Sequence, residues 1–121
     1  MRSVRRLAGR SLTFDLAAEG QELQKEKPWG ERGHNGRTLL KQPDLRIVLI
    51  AIKAGERIPT HRAAETFAVQ TLSGRVRVHL PTETVELPGG HLLALERALS
   101  HDVEALEQST ILVWLSWPPP R

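Results

Sequence analysis

Cysteine and tyrosine are both absent from this chain of 121 residues, which excludes several kinds of chemistry. Without cysteine the chain has no disulfides, no thiolate metal ligands and no thiol nucleophile. Without tyrosine it has no phenol group, so a His–Tyr pair for acid–base catalysis is excluded as well. Because a protein without cysteine is compatible with a reducing compartment, we expect a cytoplasmic location.

Long apolar segments and a strong charge imbalance are also missing. No run of about 20 apolar residues is present, so we expect no membrane span. No apolar segment follows the N-terminal arginines, which predicts that there is no secretory signal. The formal charge of +3, from 17 basic and 14 acidic residues, is too even to indicate a nucleic-acid-binding protein. We interpret the arginine-rich stretch MRSVRRLAGR as a solvated arm, the alternative being contact with RNA, DNA or an acidic partner.

From residue 45 onward, the sequence contains a series of short apolar segments separated by glycine and proline. The run LRIVLIAI is apolar apart from one arginine and rich in β-branched residues, which is typical of a strand covered on both faces. RVRVHL alternates apolar and polar residues, as expected of a strand with one buried face. Strands of roughly four to eight residues between such turns predict an all-β fold, an antiparallel sandwich or barrel with almost no helix.

The first third of the chain is more polar. SLTFDL alternates apolar and polar residues, which predicts a half-buried strand. AAEGQELQKEKPWG is predicted to hold at most one loose helical turn, because its glycine lowers helix stability. The Asn35-Gly36 dipeptide predicts a tight turn. We therefore divide a single domain into an N-terminal arm with flanking strands (1–44), a barrel core (45–116) and an extended tail (117–121).

Two stretches of the strand-rich region place histidines after glycine turns. In GERIPTHRAAETFAVQTLSG, five residues separate Gly55 from His61, and a predicted strand then leads to Gly74. In VELPGGHLLALERALSHDVEAL, a glycine turn and a predicted strand precede His101. In this order the two stretches resemble the first and second motifs of the cupin superfamily, and the resemblance covers residues 44–114. It implies a cupin-like jelly-roll β-barrel of two antiparallel sheets.

The resemblance also implies which residues would hold a metal ion. Metal-binding cupins use three histidines and one glutamate, and His61 and His101 match two of these positions. Ala63 and Phe67 occupy the second histidine position and the glutamate position. Because a divalent ion needs three or four protein donors, we expect no cofactor. The alternative is a divalent metal at His61 and His101, with Glu65 as the candidate third ligand because it lies two residues before Phe67 on the same strand face.

Without a metal, the same residues still predict a ligand pocket. We expect His61 and His101 to face one cavity inside the barrel. Phe67 is then an apolar wall of this cavity, with Glu65 beside it. Arg57, near the predicted mouth, is a candidate for binding an anion such as a carboxylate or phosphate. The alternative for each residue is structural: turn or strand-start histidines, a core phenylalanine and a solvated arginine.

Three functions stay open, and none of them assigns catalytic residues. The first is a binding module that holds a small polar or anionic ligand in the barrel and does no chemistry. The second is a metal-dependent enzyme, an oxygenase or isomerase, with the reduced ligand set of His61, His101 and Glu65. The third is a regulatory or structural partner domain in which the pocket has no role. Whether the chain is an enzyme is therefore left open.

We also expect a homodimer. One face of the apolar strand Ile47–Ile52 needs a cover other than the barrel core, and a second subunit is the natural one. Proteins of the family that this chain resembles are often dimers. Trp29 and Trp117 lie outside the clearest strands, and we expect them to pack the N-terminal arm onto the barrel or to lie in the dimer contact. Trp114 lies in the last predicted strand, where we expect it to be buried.

Overall fold

The structure, a computed structural model, describes residues 11–59, 65–96 and 99–117. Within these ranges the chain forms two short helices, α1 (Leu16–Leu23) and α2 (Lys27–Arg32). Neither of these two helices is long and apolar enough to cross a membrane. The strands are β1 (His34–Lys41), β2 (Leu45–Ile52), β3 (Arg57–Pro59), β4 (Thr66–Ser73), β5 (Arg75–His79), β6 (Thr84–Pro88), β7 (Leu92–Leu95), β8 (Asp102–Ala105) and β9 (Ser109–Ser116).

The strands form two antiparallel sheets that face each other. The larger sheet has the order β1-β2-β9-β4-β7, and the smaller has the order β3-β8-β5-β6. This confirms the predicted all-β, cupin-like fold of two antiparallel sheets. Within the described residues no strand of one sheet pairs with a strand of the other, so the barrel is open along its edges.

The inner core lies between the sheets and is built by alternate residues of their strands. Val69 of β4 and Val76 and Val78 of β5 are fully buried there, because successive side chains of a strand point to opposite faces. The hydroxyl of Thr71, on the same face of β4, donates a 2.9 Å hydrogen bond to the carbonyl of Leu87 in β6. This bond satisfies a buried hydroxyl and links the two sheets.

A second core lies on the outer face of the larger sheet, under the helices. Leu23 of α1 packs with Leu49 and Ala51 of β2, and all three side chains are fully buried. Trp29 of α2 and Trp114 of β9 pack against them and are partly buried. The expectation that a second subunit covers this face of β2 is therefore wrong, because helices of the same chain cover it. The homodimer itself stays a prediction.

The segment before α1 differs from the predicted strand. Residues 11–15 are irregular, so the strand expected in SLTFDL is absent and that prediction is wrong. The carboxylate of Asp15 accepts a 3.1 Å hydrogen bond from the N–H of Ala18, which caps α1. The helix runs for eight residues, longer than one loose turn, in spite of Gly20. Burial of Leu23 in the outer core stabilises it, since packing outweighs propensity in short helices.

The Asn35-Gly36 dipeptide lies inside β1, so the predicted tight turn is wrong. Asn35 is buried, and its side-chain amide donates 2.9 Å hydrogen bonds to the carbonyl of Leu23 and to the carboxylate of Glu26. These two acceptors come from the end of α1 and the start of α2, and they override the local turn preference. β1 thereby fastens the helical segment to the sheet.

Arg37 of β1 strengthens this attachment through three glutamates. Its Nη1 atom lies 2.6 Å from Glu19 Oε1 and 3.2 Å from Glu22 Oε1, while Nη2 lies 2.6 Å from Glu26 Oε2. The Arg37 side chain is 9% exposed. Because a buried charge is costly without partners, this cluster holds the helices at one position on the sheet.

Gly74 carries the chain from β4 of the larger sheet to β5 of the smaller one. Its φ of 85° lies in the left-handed region that favours glycine. A Cβ atom at this position would lie 2.4 Å from the carbonyl oxygen of Gln108 and 2.4 Å from Oγ of Ser109. The crossing between the sheets therefore needs glycine both for its backbone conformation and for space.

Candidate functional site

A cavity of about 260 Å³ lies between the two sheets. Three ionisable side chains line it: Glu65, Glu96 and His101. The described lining is thus mostly apolar with a few polar groups, which is the usual composition of a small-molecule site. The apolar wall consists of Val48, Ile50, Ile58, Pro59, Phe67, Leu99, Val103, Ile111, Val113 and Leu115.

The strand directions bring the ionisable residues to one end of the sandwich. Glu65 precedes β4 and Glu96 follows β7, and because these strands are antiparallel neighbours, both residues lie at the same end of the larger sheet. His101 precedes β8, beside the end of β3 in the smaller sheet. Since Glu96 and Leu99 are exposed, this end is the mouth of the cavity.

His101 has contacts with two neighbours at the mouth. Its ring centroid lies 4.2 Å from that of Phe67, and the ring planes are tilted by 43°. Its Nδ1 atom lies 3.1 Å from the carbonyl oxygen of Leu99. Because a carbonyl oxygen can only accept, this hydrogen bond places a proton on Nδ1. The Nε2 atom is buried, away from bulk water.

The described residues do not supply a complete metal site. Among them, no three histidine, aspartate or glutamate side chains are close enough together to hold an ion. His101, Glu65 and Glu96 all line the cavity without forming such a group. His61 and Ala63 lie outside the described residues, so the expected meeting of His61 with His101 stays a prediction.

Phe67 and Glu65 both contribute to the cavity lining. Phe67 is 8% exposed and also belongs to the inner core. It is therefore both a core residue and a wall of the cavity. The aromatic ring narrows the cavity at the position where the resemblance implies a glutamate. Glu96 and Leu99 were not among the expected pocket residues, because the path of the chain after β7 sets their positions.

Arg57 lies outside the cavity lining. Its Nε and Nη2 atoms each donate a 3.1 Å hydrogen bond to the carboxylate of Asp102, in β8 next to Arg57's own strand β3. This bidentate ion pair occupies two nitrogen donors of the Arg57 guanidinium. The interpretation of Arg57 as the group that binds an anion in the cavity therefore loses its support.

Arg46 lies on the inner face of β2, just beyond the residues that line the cavity, and sequence reasoning missed it. Val48 and Ile50 line the cavity, and Arg46 is the next residue on the same strand face toward the mouth. Its register partner in β9, Leu115, also lines the cavity. The guanidinium carbon lies 5.6 Å from the ring centroid of Trp117. The sequence LRIVLIAI already indicated this position. Arg46, Val48 and Ile50 are alternate residues of one strand, so their side chains lie on the same face.

The outer face of the smaller sheet carries a separate ionisable pair. Nε2 of His79 in β5 lies 2.8 Å from Oε1 of Glu104 in β8. This hydrogen bond, together with the positive charges of His79, Arg77 and Arg57, holds the pKa of Glu104 below its ordinary value. The neighbouring residue Val103 points to the cavity, so the pair lies on the opposite face of β8.

Comparisons with known proteins support the fold. No protein-family model matches the chain, and no curated protein matches it. Among solved structures, the conserved protein SPY1581 of unknown function from Streptococcus pyogenes matches with a TM-score of 0.73 and 20% identity, over 99% of this chain and 98% of that chain. An RmlC-like cupin from Desulfovibrio desulfuricans matches with a TM-score of 0.72 and 16% identity, over 88% of this chain and 97% of that chain.

An enzyme is also among the similar structures. Salicylate 1,2-dioxygenase from Pseudoaminobacter salicylatoxidans, in a structure with gentisate adducts, matches with a TM-score of 0.73 and 16% identity. The match covers 83% of this chain but 31% of the dioxygenase. Identities this low establish a shared fold, and one fold supports many activities.

Proposed function

This chain has the cupin fold, and we propose that it is a binding module that holds one small molecule in the cavity between its sheets. The observation that carries the proposal is the cavity itself, about 260 Å³ of space bordered mostly by aliphatic side chains. Protein interiors are normally close-packed, so an open space of this size among core residues is unusual and supports a binding site there.

The lining indicates what such a ligand looks like. Ten of the residues around the cavity are apolar and three are ionisable, and the ionisable ones lie at the mouth. A ligand with an apolar body and one polar end fits this distribution better than a molecule that is polar throughout. The volume lies just below the roughly 300–1,000 Å³ of pockets for drug-sized molecules, so the ligand is small.

His101 has a binding role in this proposal. It lies at the mouth, where its imidazole is placed to hydrogen-bond the polar end of a ligand, and its Nδ1 atom lies 3.1 Å from the carbonyl oxygen of Leu99. Phe67, packed against the ring, limits how far the imidazole can turn. The histidine thus orients the polar end of the ligand while the aliphatic wall holds its body.

A metal-dependent enzyme is the second candidate, because the imidazole of His101 lines the cavity and imidazole nitrogens commonly bind metal ions. The described donors are too few for a site, however, and His61 would have to complete it. Elemental analysis of protein purified without a metal-affinity resin tests this candidate. Stoichiometric zinc, iron, manganese or nickel favours it over the binding module.

Titration with benzyl alcohol, a small uncharged molecule with an apolar ring, tests the binding module. In an NMR titration we expect amide signals of cavity residues such as Val103 and Ile111 to shift. Val113→Phe adds an aromatic ring inside the cavity and is expected to abolish these shifts. Leu92→Phe adds the same ring at a position 60% exposed and outside the lining, so it is expected to keep them. Equal shifts in both variants contradict the proposal.

We also propose that the protein forms a homodimer and is cytoplasmic. The covered outer face of β2 no longer argues for a dimer, but β7 is a short apolar edge strand with Leu92 exposed on it. A sheet edge presents unpaired backbone N–H and C=O groups that a strand of a second chain can pair with. Light scattering on the wild type and on Leu92→Lys, at one protein concentration, measures whether this edge joins two copies.

A further inference from the structure

We propose that Arg46 binds a carboxylate group of the ligand, so that the cavity selects small carboxylic acids with an apolar body. This inference rests on the proposed binding function and names its ligand class. It places the anion-binding group on β2, in the other sheet from Arg57.

Arg46 lies at the mouth end of the inner face of β2. Val48, Ile50 and Ile52 of β2 all face the space between the sheets, so Arg46 extends this face toward the mouth. Directly across, Leu115 pairs with Arg46 on one side and with Phe67 on the other. Both Leu115 and Phe67 line the cavity, so the arginine ends a row of lining residues.

The guanidinium group of Arg46 has no ion-pair partner among the described residues. In the described part of the chain, Arg37 and Arg57 each have carboxylates within ion-pairing distance, whereas Arg46 has none. Its Nε atom is buried and has no hydrogen-bond partner there. Trp117 lies within cation–π distance of the guanidinium, whose central carbon is 5.6 Å from the ring centroid. A carboxylate that approached Nε and a terminal nitrogen side by side would satisfy this donor in the geometry that arginine prefers.

The neighbouring strand β1 brings a second cation close to Arg46. Lys41 of β1 is the register partner of Arg46, so two cations lie directly opposite each other in adjacent strands. Like charges in this arrangement repel each other. An anion between or beside them removes the repulsion, which makes this corner of the sheet a better anion site than a single arginine.

The carboxylates at the mouth do not cancel this charge, because they lie on other strands. Glu65 precedes β4 and Glu96 follows β7, two and three strands away from β2 in the order of the sheet. At about 4.8 Å between neighbouring strands, the separations are roughly 10 Å and 14 Å. Lys41 and Arg46 thus lie on the β2 side of the mouth and the two lining glutamates on the β4–β7 side, which favours a ligand carboxylate at Arg46.

Three probes with the same ring and different charge test the inference: benzoate, benzyl alcohol and benzylamine. By calorimetry or NMR at low salt, we expect the wild type to bind benzoate at least tenfold more tightly than the other two. Arg46→Met is expected to remove this preference and keep the binding of benzyl alcohol, while Arg46→Lys retains part of it. Arg57→Met, a matched loss of one arginine outside the cavity, is expected to keep the full preference.

The outcomes separate this inference from the function on which it rests. Binding of benzyl alcohol without any preference for benzoate leaves the binding module standing and overturns the role of Arg46. A preference for benzylamine also overturns it and assigns the ligand's polar end to the glutamates. A benzoate preference that survives in Arg46→Met overturns it as well. If the wild type binds none of the three probes, the binding module fails and the inference fails with it.

Discussion

The imidazole ring of His101 packs against the phenyl ring of Phe67, with their centroids 4.2 Å apart and their planes tilted by 43°. Phe67 belongs to the inner core and His101 to the mouth, so this contact is the boundary between the apolar chamber and its polar opening. Tilted aromatic pairs at such distances stabilise each other beyond simple burial. The orientation of the histidine is thereby coupled to the packing of the core.

Removal of the Phe67 ring tests this coupling. We expect Phe67→Ala to lower the free energy of unfolding by about 3 kcal/mol, because a buried aromatic side chain is lost and the cavity grows. Leu92→Ala, which truncates an exposed side chain, is expected to change it by less than about 0.5 kcal/mol. Urea unfolding followed by tryptophan fluorescence measures both. Similar losses in the two variants would show that Phe67 is not part of a packed core.

The ion cluster on the outer face gives a second prediction. Arg37→Met removes the cation that pairs with Glu19, Glu22 and Glu26, and we expect a loss of about 3 kcal/mol, at the low end for buried ion pairs because Glu22 and Glu26 are partly exposed. Arg57→Met is the control, since its side chain is 52% exposed and such pairs contribute less than about 1 kcal/mol. Chemical unfolding measures the difference between the two variants, and equal losses argue against a buried cluster.

The crossing at Gly74 gives a third prediction. Gly74 and Gly90 have nearly the same φ, 85° and 87°, but a Cβ at Gly90 meets no atom within 4 Å. We therefore expect Gly90→Ala to lower the free energy of unfolding by about 1–2 kcal/mol, from backbone strain alone. Gly74→Ala adds the clash with Gln108 and Ser109, and we expect a further ~1–3 kcal/mol. Thermal unfolding that ranks the two variants equally contradicts the close approach at Gly74.

The pair of His79 and Glu104 gives a prediction about acid. Because the pKa of Glu104 is below its ordinary value of 4.5 in the folded chain, the unfolded chain binds a proton more readily. The stabilising contribution is fully present above 4.5 and is lost as the pH falls through the lower, folded value. NMR titration of the Glu104 side chain measures this pKa, which we expect to rise toward 4.5 in His79→Ala.

The lowered pKa of Glu104 is also expected to affect how the free energy of unfolding depends on pH. Relative to Glu104→Gln, the wild type is expected to lose stability between pH 6 and pH 3, as seen in urea midpoints. An unchanged pKa in His79→Ala, with the same pH dependence in both proteins, rules out the hydrogen bond as the cause. The pair lies on the face opposite the cavity, so ligand binding is expected to be unaffected in either variant.

The strand pattern after residue 45 was readable from the sequence because period-2 alternation and glycine turns are local signals. RVRVHL predicted β5, and the burial of Val76 and Val78 follows that alternation. The N-terminal third was not readable in the same way. Its short helices are stabilised by contacts with β2, and the Asn35 amide finds its acceptors on Leu23 and Glu26, partners that local sequence does not reveal.

The sequence by itself determined the fold class, the strand-rich core and the positions of Phe67 and His101 within a recognisable order of motifs. Only the tertiary structure decided which charged groups are engaged. Arg57 lies beside Asp102 of the neighbouring strand, and Arg46 lies on the inner face of β2 with no carboxylate within ion-pairing distance among the described residues. The physical reason is that alternation along a strand fixes the face of a side chain, whereas its neighbours come from strands far away in the chain.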